Sequence, residues 1–128
     1  MADASYPDDL LYHPEHDWAR IDGDTATLGI TWFAQDSLGE IVFFDPPQPG
    51  TTISKDQPYG EIESVKAVSD VIAPLSGEIV EVNEGLSDSP ENVNEDPYGD
   101  GWLVRIKLSD TSELDDLMDA STYEGTLS

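Results

Sequence analysis

The sequence predicts a mostly β fold with short helices at its edges and its end. Val, Ile, Leu and aromatic residues recur at strand-like intervals, turn-forming clusters such as Asp22-Gly23-Asp24 and Pro46-Pro47-Gln48-Pro49-Gly50 separate them, and helical spacing surfaces only briefly. A chain of 128 residues fits one domain of common size. Its 38% hydrophobic content, placed at those intervals, supports a folded core rather than disorder.

Residues 1–10 are polar and are expected to be loosely held. Residues 18–21 and 26–30 flank Asp22-Gly23-Asp24, and alternation around Asp-Gly predicts a β-hairpin. Thr31 can cap a short helix running to Leu38, with Trp32, Phe33 and Leu38 available for burial and Gly39 as its stop. Residues 40–44 form the next strand, and the proline cluster at 46–50 is a rigid turn that cannot sit inside a sheet. Residues 59–65 and 68–72 are two strands joined at Lys66-Ala67. Pro74-Leu75-Ser76-Gly77 turns the chain into a strand over 78–82 in which Ile79 opposes Glu78, Val80 and Val82; the sequence leaves open which side is buried. Residues 83–101 make a long loop with room for one helical turn, and 102–108 is the clearest strand of the chain. Ser112 and Asp115 then form a weak capping box ahead of Leu114, Leu117 and Met118 at helical spacing. One internal echo stands out: Gly39-Glu40-Ile41-Val42 recurs as Gly77-Glu78-Ile79-Val80. If it is more than accident, it marks two related halves packed face to face.

Lys+Arg number 5 against 28 Asp+Glu, giving a formal net charge of −23. Nucleic-acid binding by phosphate neutralisation and attachment to an anionic membrane leaflet are both excluded, because each needs clustered Lys and Arg. The charge is spread along the chain, not gathered into a tail. Evenly spread like charges repel at physiological salt, where the Debye length is about 8 Å, and far less at 1 M, where it is about 3 Å. With only Lys55, Lys66 and Lys107 as lysines, the composition predicts a cytosol of high ionic strength, as in a halophile. Cysteine is absent, which excludes disulfides, a thiol nucleophile and a Cys-based zinc site. No positive residue precedes Arg20 and no apolar run is long enough to cross a bilayer, so a cytoplasmic protein is expected.

Lysine is scarce, yet one stands where two hydrophobic strands meet in a tight turn: Glu61-Ile62-Glu63-Ser64-Val65-Lys66-Ala67-Val68-Ser69-Asp70. Its amine projects into water near Glu63, Ser69 and Asp70 in sequence, and Gly50 and Gly77 fall in turns on either side of the hairpin. On composition alone, an ordinary surface lysine and a modified one are equally good readings.

The motifs around that turn decide between them. Tyr12-His13-Pro14-Glu15-His16-Asp17-Trp18, Gly29-Ile30-Thr31-Trp32-Phe33-Ala34-Gln35-Asp36-Ser37-Leu38-Gly39, Glu63-Ser64-Val65-Lys66-Ala67 and Asn94-Glu95-Asp96-Pro97-Tyr98-Gly99-Asp100-Gly101-Trp102-Leu103 together resemble the H-protein family of the glycine cleavage system. The resemblance spans residues 10–127; it departs from the family where Pro46 replaces a commoner leucine and Asp17 a commoner glutamate. It implies a barrel-sandwich hybrid of the lipoyl-domain type, one carrier domain over 1–128 with its core in 10–127, and lipoate in amide linkage on Lys66. It further implies that Glu63, Gly77 and Gly50 help a lipoate-attaching enzyme recognise the turn. The implied role is non-catalytic. The arm takes the aminomethyl group of glycine from the pyridoxal-phosphate P protein to the folate-dependent T protein, and the flavin L protein reoxidises it. Acidic and aromatic side chains near Lys66 are expected to shelter the loaded arm.

Rival readings fare worse. His13 and His16 flank Glu15, but without a helix their spacing sets no shared face for a metal, and the Asp/Asn-rich stretch 88–100 does not meet the EF-hand ligand pattern. No phosphate loop precedes a helix and no nucleophile elbow occurs. A biotin carrier would share the lysine position, but such domains flank it with methionines where this chain has Val65 and Ala67. An H-like carrier serving lipoate distribution or another pathway would have the same turn.

Overall fold

The computed structural model describes residues 6–127. Its strands are β1 (Leu11–His13), β2 (Asp17–Asp22), β3 (Thr25–Ile30), β4 (Ile41–Asp45), β5 (Thr52–Ile53), β6 (Pro58–Ser64), β7 (Val68–Ile72), β8 (Gly77–Val82) and β9 (Val104–Leu108). They form two antiparallel sheets, neither closed: six strands in the order β1-β2-β3-β9-β8-β5, and three in the order β4-β6-β7. Short helices α1 (Trp32–Leu38), α2 (Gly85–Asp88), α3 (Asn92–Glu95) and α4 (Ala120–Thr126) lie around them, with a 3-10 helix at Thr111–Asp116. The expected mostly β hybrid with peripheral helices and a C-terminal helix is what forms.

The two sheets share one core. Ala26, Leu28, Ile79, Val104 and Ile106 from the larger sheet meet Ile41, Phe44, Ile62 and Val71 from the smaller. A second cluster holds the outer side of β1 and β2: Tyr12 stacks on Tyr123 of α4 at 4.9 Å between ring centroids, and Leu10, Trp18 and Ala120 complete it. Residues 6–10, expected to be loose, are tied into this cluster. Tyr6 meets Tyr12 and Tyr123 edge-on, Leu10 is fully buried, and the Tyr12 hydroxyl donates to the Pro7 carbonyl at 2.8 Å. The rest of that expectation, residues 1–5, lies outside the described residues.

The hairpin at Asp22-Gly23-Asp24 and the Thr31-capped helix form as expected. Thr31 Oγ1 accepts from the Ala34 N–H, and Gly39, at φ +85°, ends α1. The internal echo acquires a structural meaning. Ile41 and Ile79 are both buried, Val42 and Val80 are both exposed, and in each strand a register shift begins at the isoleucine. The two copies lie in opposite sheets, and Ile79 answers the open question of which side of β8 faces inward. A bulge places an extra residue on the outside, which is why Val42-Phe43 and Val80-Glu81 are consecutive exposed pairs.

Three expectations need correction. Gly77 is not in a turn; it is the buried first residue of β8, paired with both Ile53 and Leu108. The loop over 83–101 contains two short helices, not one turn. The helix expected after Ser112 is a 3-10 helix capped by Asp110, whose side chain accepts from the Ser112 N–H. Met118 then bridges to Tyr12, and α4 begins afresh under an Asp119 cap. Leu114 and Leu117 reach the main core while Met118 reaches the second cluster, so these residues serve two cores and not one α-helical face.

Candidate functional site

The turn between β6 and β7 is built by Ser64. Its N–H donates to the Ala67 carbonyl at 2.8 Å, and its Oγ accepts from the N–H groups of Ala67 at 3.1 Å and Lys66 at 3.4 Å. The next residue is anchored from outside the hairpin, for the Val65 N–H donates to the Glu40 carbonyl at 3.0 Å. Lys66 is exposed at the tip of this pinned turn. Its stem lies across the glycine that ends α1: a Cβ on Gly39 would stand 3.5 Å from Lys66 Cε. Among the described residues the ion pairs are His13–Asp56, Lys55–Asp116 and Arg105–Glu81, and Lys66 enters none of them.

Glu63 is exposed on the outer face of the smaller sheet, between its register partners Phe43 and Val68. Phe43 is 51% exposed and Val68 59%, with Val65 at 69% beside them, an apolar surround unusual for so acidic a chain. The next outward row, Asp45, Glu61 and Asp70, sets three carboxylates across three strands.

Gly50 and Gly77 are brought together, but not at the lysine. The Gly50 N–H donates to the Ile79 carbonyl at 2.7 Å, on the sheet to which Lys66 does not belong. Gly50 occupies an exposed turn at φ +93°. A Cβ on Gly77 would collide with the Lys107 carbonyl of β9, so the strand pairing itself requires glycine there.

Two cavities lie on the elements that carry the lysine, and of their linings sequence reasoning placed only Ser69 and Asp70 beside Lys66. One cavity, of about 50 Å³, is walled by Ile30, Ala34, Leu38, Ile62 and Val71, with Glu15, Asp17, Ser69 and Asp70. Two of its elements lead to the lysine: α1, whose Leu38 lines it and which ends at the glycine beside the Lys66 stem, and β7, whose Val71 lines it and which begins just after the turn. Asp17 is 1% exposed, and its Oδ2 has no hydrogen-bond partner. Burial pushes its carboxyl well above the usual carboxylate range, and the Glu15 charge adds to the rise. The only other buried side-chain atom left without a partner among the described residues is the Tyr59 hydroxyl, whose proton is held by burial and by the Asp17 charge. The sequence carried one signal, the aspartate at position 17 where the family more often has glutamate; its cost shows only in the fold, where it opens a strand whose next two residues, Trp18 and Ala19, are wholly buried. A second cleft, of about 410 Å³, is lined by Glu40, the residue after Gly39, with Trp32, Asp36, Glu91 and Glu95 among others. Acidic groups line both cavities and an aromatic one, Trp32, lines the second, while Lys66 itself lines neither.

The two histidines stand apart. His13 Nδ1 accepts from the Glu15 N–H at 3.0 Å and its Nε2 lies 2.7 Å from Asp56 Oδ1. His16, at φ +72°, places Nδ1 2.8 Å from the Tyr123 hydroxyl, and burial lowers its pKa. That hydroxyl is also 2.8 Å from Thr31 Oγ1, so α4 ties the β1–β2 turn to the cap of α1. Among the described residues no group of three or more His, Cys, Asp or Glu is arranged to hold a metal ion, and no helix is long and apolar enough to cross a membrane.

Residues 10–128 match the family model described as glycine cleavage H-protein. The chain is 49% identical over 121 residues to a glycine cleavage system H protein of Symbiobacterium thermophilum, covering 94% of each chain. It is 52% identical over 119 residues to that of Halorhodospira halophila, covering 92% of each. The crystal structure of a glycine cleavage system H protein from Mycobacterium marinum superposes with a TM-score of 0.87 at 41% identity, over 94% of this chain and 98% of that one.

Proposed function

The chain belongs to the glycine cleavage H-protein family, and we propose that Lys66 is the residue on which it carries lipoate, in amide linkage. It is a carrier subunit and not a catalyst. The lipoyl group, once attached, supplies a redox-active dithiolane able to hold the aminomethyl unit of glycine. The observation that carries the reading is Lys66 itself: exposed, outside every ion pair among the described residues, and mounted on a turn held by Ser64 and Glu40. A carrier needs a rigid base under a flexible arm, so that one group visits several active sites at high effective concentration. Acylation needs the neutral amine, and the attaching enzyme manages that deprotonation.

The residues beside Lys66 fit such a cargo. An aminomethyl group ends in a cationic amine, and Asp17 Oδ2 is a buried carboxylate oxygen that lacks a partner in a cavity with apolar walls. In this reading Asp17, with Glu15 and Asp70, receives the charged end, while Ile30, Leu38, Ile62 and Val71 exclude water. For the attaching enzyme, Glu63 and the exposed Phe43, Val65 and Val68 offer a direct contact. Gly77 and Gly50 enter through the backbone shape they permit. The partners in this reading are the P, T and L proteins and the lipoate-attaching enzyme, met in the cytoplasm by a single carrier domain.

Reconstitution tests it. Lipoylated chain combined with P, T and L proteins is expected to sustain glycine-dependent turnover, and Lys66→Arg, which keeps the charge but cannot be acylated by the same route, is expected to abolish it. Normal lipoylation without glycine-dependent turnover would favour an H-like carrier of another pathway.

A further inference from the structure

We propose that Asn94 is a positioning residue for the arm. Its side-chain amide clamps residues 39–41, on which the Lys66 turn and stem rest, and so sets where the arm leaves the protein. The inference rests on the carrier reading above and adds to it a residue that acts on Lys66 through the backbone.

The junction between α1 and β4 needs a hold from outside. Gly39 ends α1 at φ +85° and, having no Cβ, constrains its own backbone least, while Glu40 belongs to neither element. Yet the lysine depends on this junction. The Glu40 carbonyl accepts from the Val65 N–H at 3.0 Å, and a Cβ on Gly39 would stand 3.5 Å from Lys66 Cε and 4.0 Å from its Nζ.

Asn94 supplies the hold. Its Nδ2 donates to the Gly39 carbonyl at 2.8 Å and to Gln35 Oε1 at 2.9 Å, and its Oδ1 accepts from the Ile41 N–H at 2.8 Å. One planar amide thus grips the residue before Glu40 and the residue after it. It can face only one way, because exchanging O and N would set acceptor against acceptor and donor against donor. Gln35, 7% exposed, is fixed in turn by its Nε2, which donates to the Trp32 carbonyl at 3.0 Å. The base beneath Asn94 is rigid. Val93 is fully buried, the Asp96 N–H closes α3 on the Asn92 carbonyl at 2.8 Å, and a Cβ on Gly101 would stand 2.8 Å from Val93 Cα.

A flexible arm serves several active sites only if its root stays in one place relative to the surfaces on which partners dock. Without the clamp, the Val65 anchor and the support of the stem move together. The bonds that Ser64 makes to Lys66 and Ala67 stay within the hairpin and keep its tip intact. Docking then continues and delivery suffers.

The test uses the full lipoylated chain and Asn94→Leu, which is close in size, leaves the charge unchanged and removes all three bonds. Glycine decarboxylation by the P protein is measured against carrier concentration, and amide exchange is read residue by residue in the hairpin. At saturating carrier kcat is expected to fall by about threefold or more with KM unchanged. The Val65 N–H is expected to exchange about tenfold faster or more, while those of Ser64 and Ala67 stay protected. Gln35→Met, which leaves Asn94 its bonds to Gly39 and Ile41, gives a weaker form of the same pattern should Asn94→Leu not fold. Ile106→Val, a core substitution in the larger sheet, changes neither readout. A purely structural role would lower the folded fraction, raising the apparent KM at unchanged kcat. That result, or a change in kcat without one at Val65, or the reverse, overturns the proposal while the carrier reading stands. Absence of a lipoyl mass on Lys66, or of glycine-dependent turnover with the unsubstituted chain, overturns both.

Discussion

At the scale of single residues, the attachment turn rests on one hydroxyl. Ser64 is 8% exposed and serves two backbone donors. Ser64→Ala is expected to destabilise the fold by about 1–2 kcal/mol in denaturant unfolding and to slow lipoylation of protein that remains folded. Gly77 separates recognition from packing. Gly77→Ala drives a Cβ into the Lys107 carbonyl and is expected to destabilise by about 1–3 kcal/mol. If the folded fraction of that variant is lipoylated normally, Gly77 acts through the strand pairing and not through enzyme contact. Asp17 gives a pH signature with a definite sign. Its folded pKa is raised above 3.8, so as pH climbs from there the unfolded chain loses its proton first and stability declines, and Asp17→Asn is expected to remove that slope. Lys66 was legible because scarcity and a contiguous motif mark it in one dimension. Asp17 was legible only as a departure from family habit, because its meaning depends on α1 and β7 closing over it, and neither is near it in sequence.

At the scale of elements, hairpins and caps were legible because local chemistry specifies them: Asp-Gly at the β2–β3 turn, and a Thr31 hydroxyl with a terminal glycine around α1. The C-terminal segment was not, because Leu114, Leu117 and Met118 have helical spacing but answer to two different clusters. Tertiary burial overrode the local period. The element that results, α4, locks the site from behind through the Tyr123 hydroxyl between His16 and Thr31. Tyr123→Phe is expected to lose about 1–2 kcal/mol and, by loosening the α1 cap, to weaken protection of Asp17's cavity in hydrogen exchange. His16 adds a second pH dependence. Its folded pKa lies below 6.5, so as pH falls through 6.5 the unfolded chain takes up a proton first and stability drops, an effect that ends below the folded pKa.

At the scale of the whole molecule, a net charge of −23 is a repulsion that salt relieves, and the Asp45–Glu61–Asp70 row shows it locally on the outer face of the smaller sheet. We propose that the chain works at high ionic strength. Its Tm is expected to climb between 0.1 and 2 M KCl, by roughly 4 °C for each kcal/mol of repulsion relieved, and indifference to salt would refute the proposal. The same acidity suits a carrier that must leave each partner after a short visit, since rim charges act on encounter more than on affinity. All of this has a purpose only if the lysine at the hairpin tip is modified. Intact mass with peptide mapping of the protein from its own host tests that most directly. A lipoyl increment confined to Lys66 is expected, and an unmodified Lys66 in cells that make lipoate would refute the carrier role.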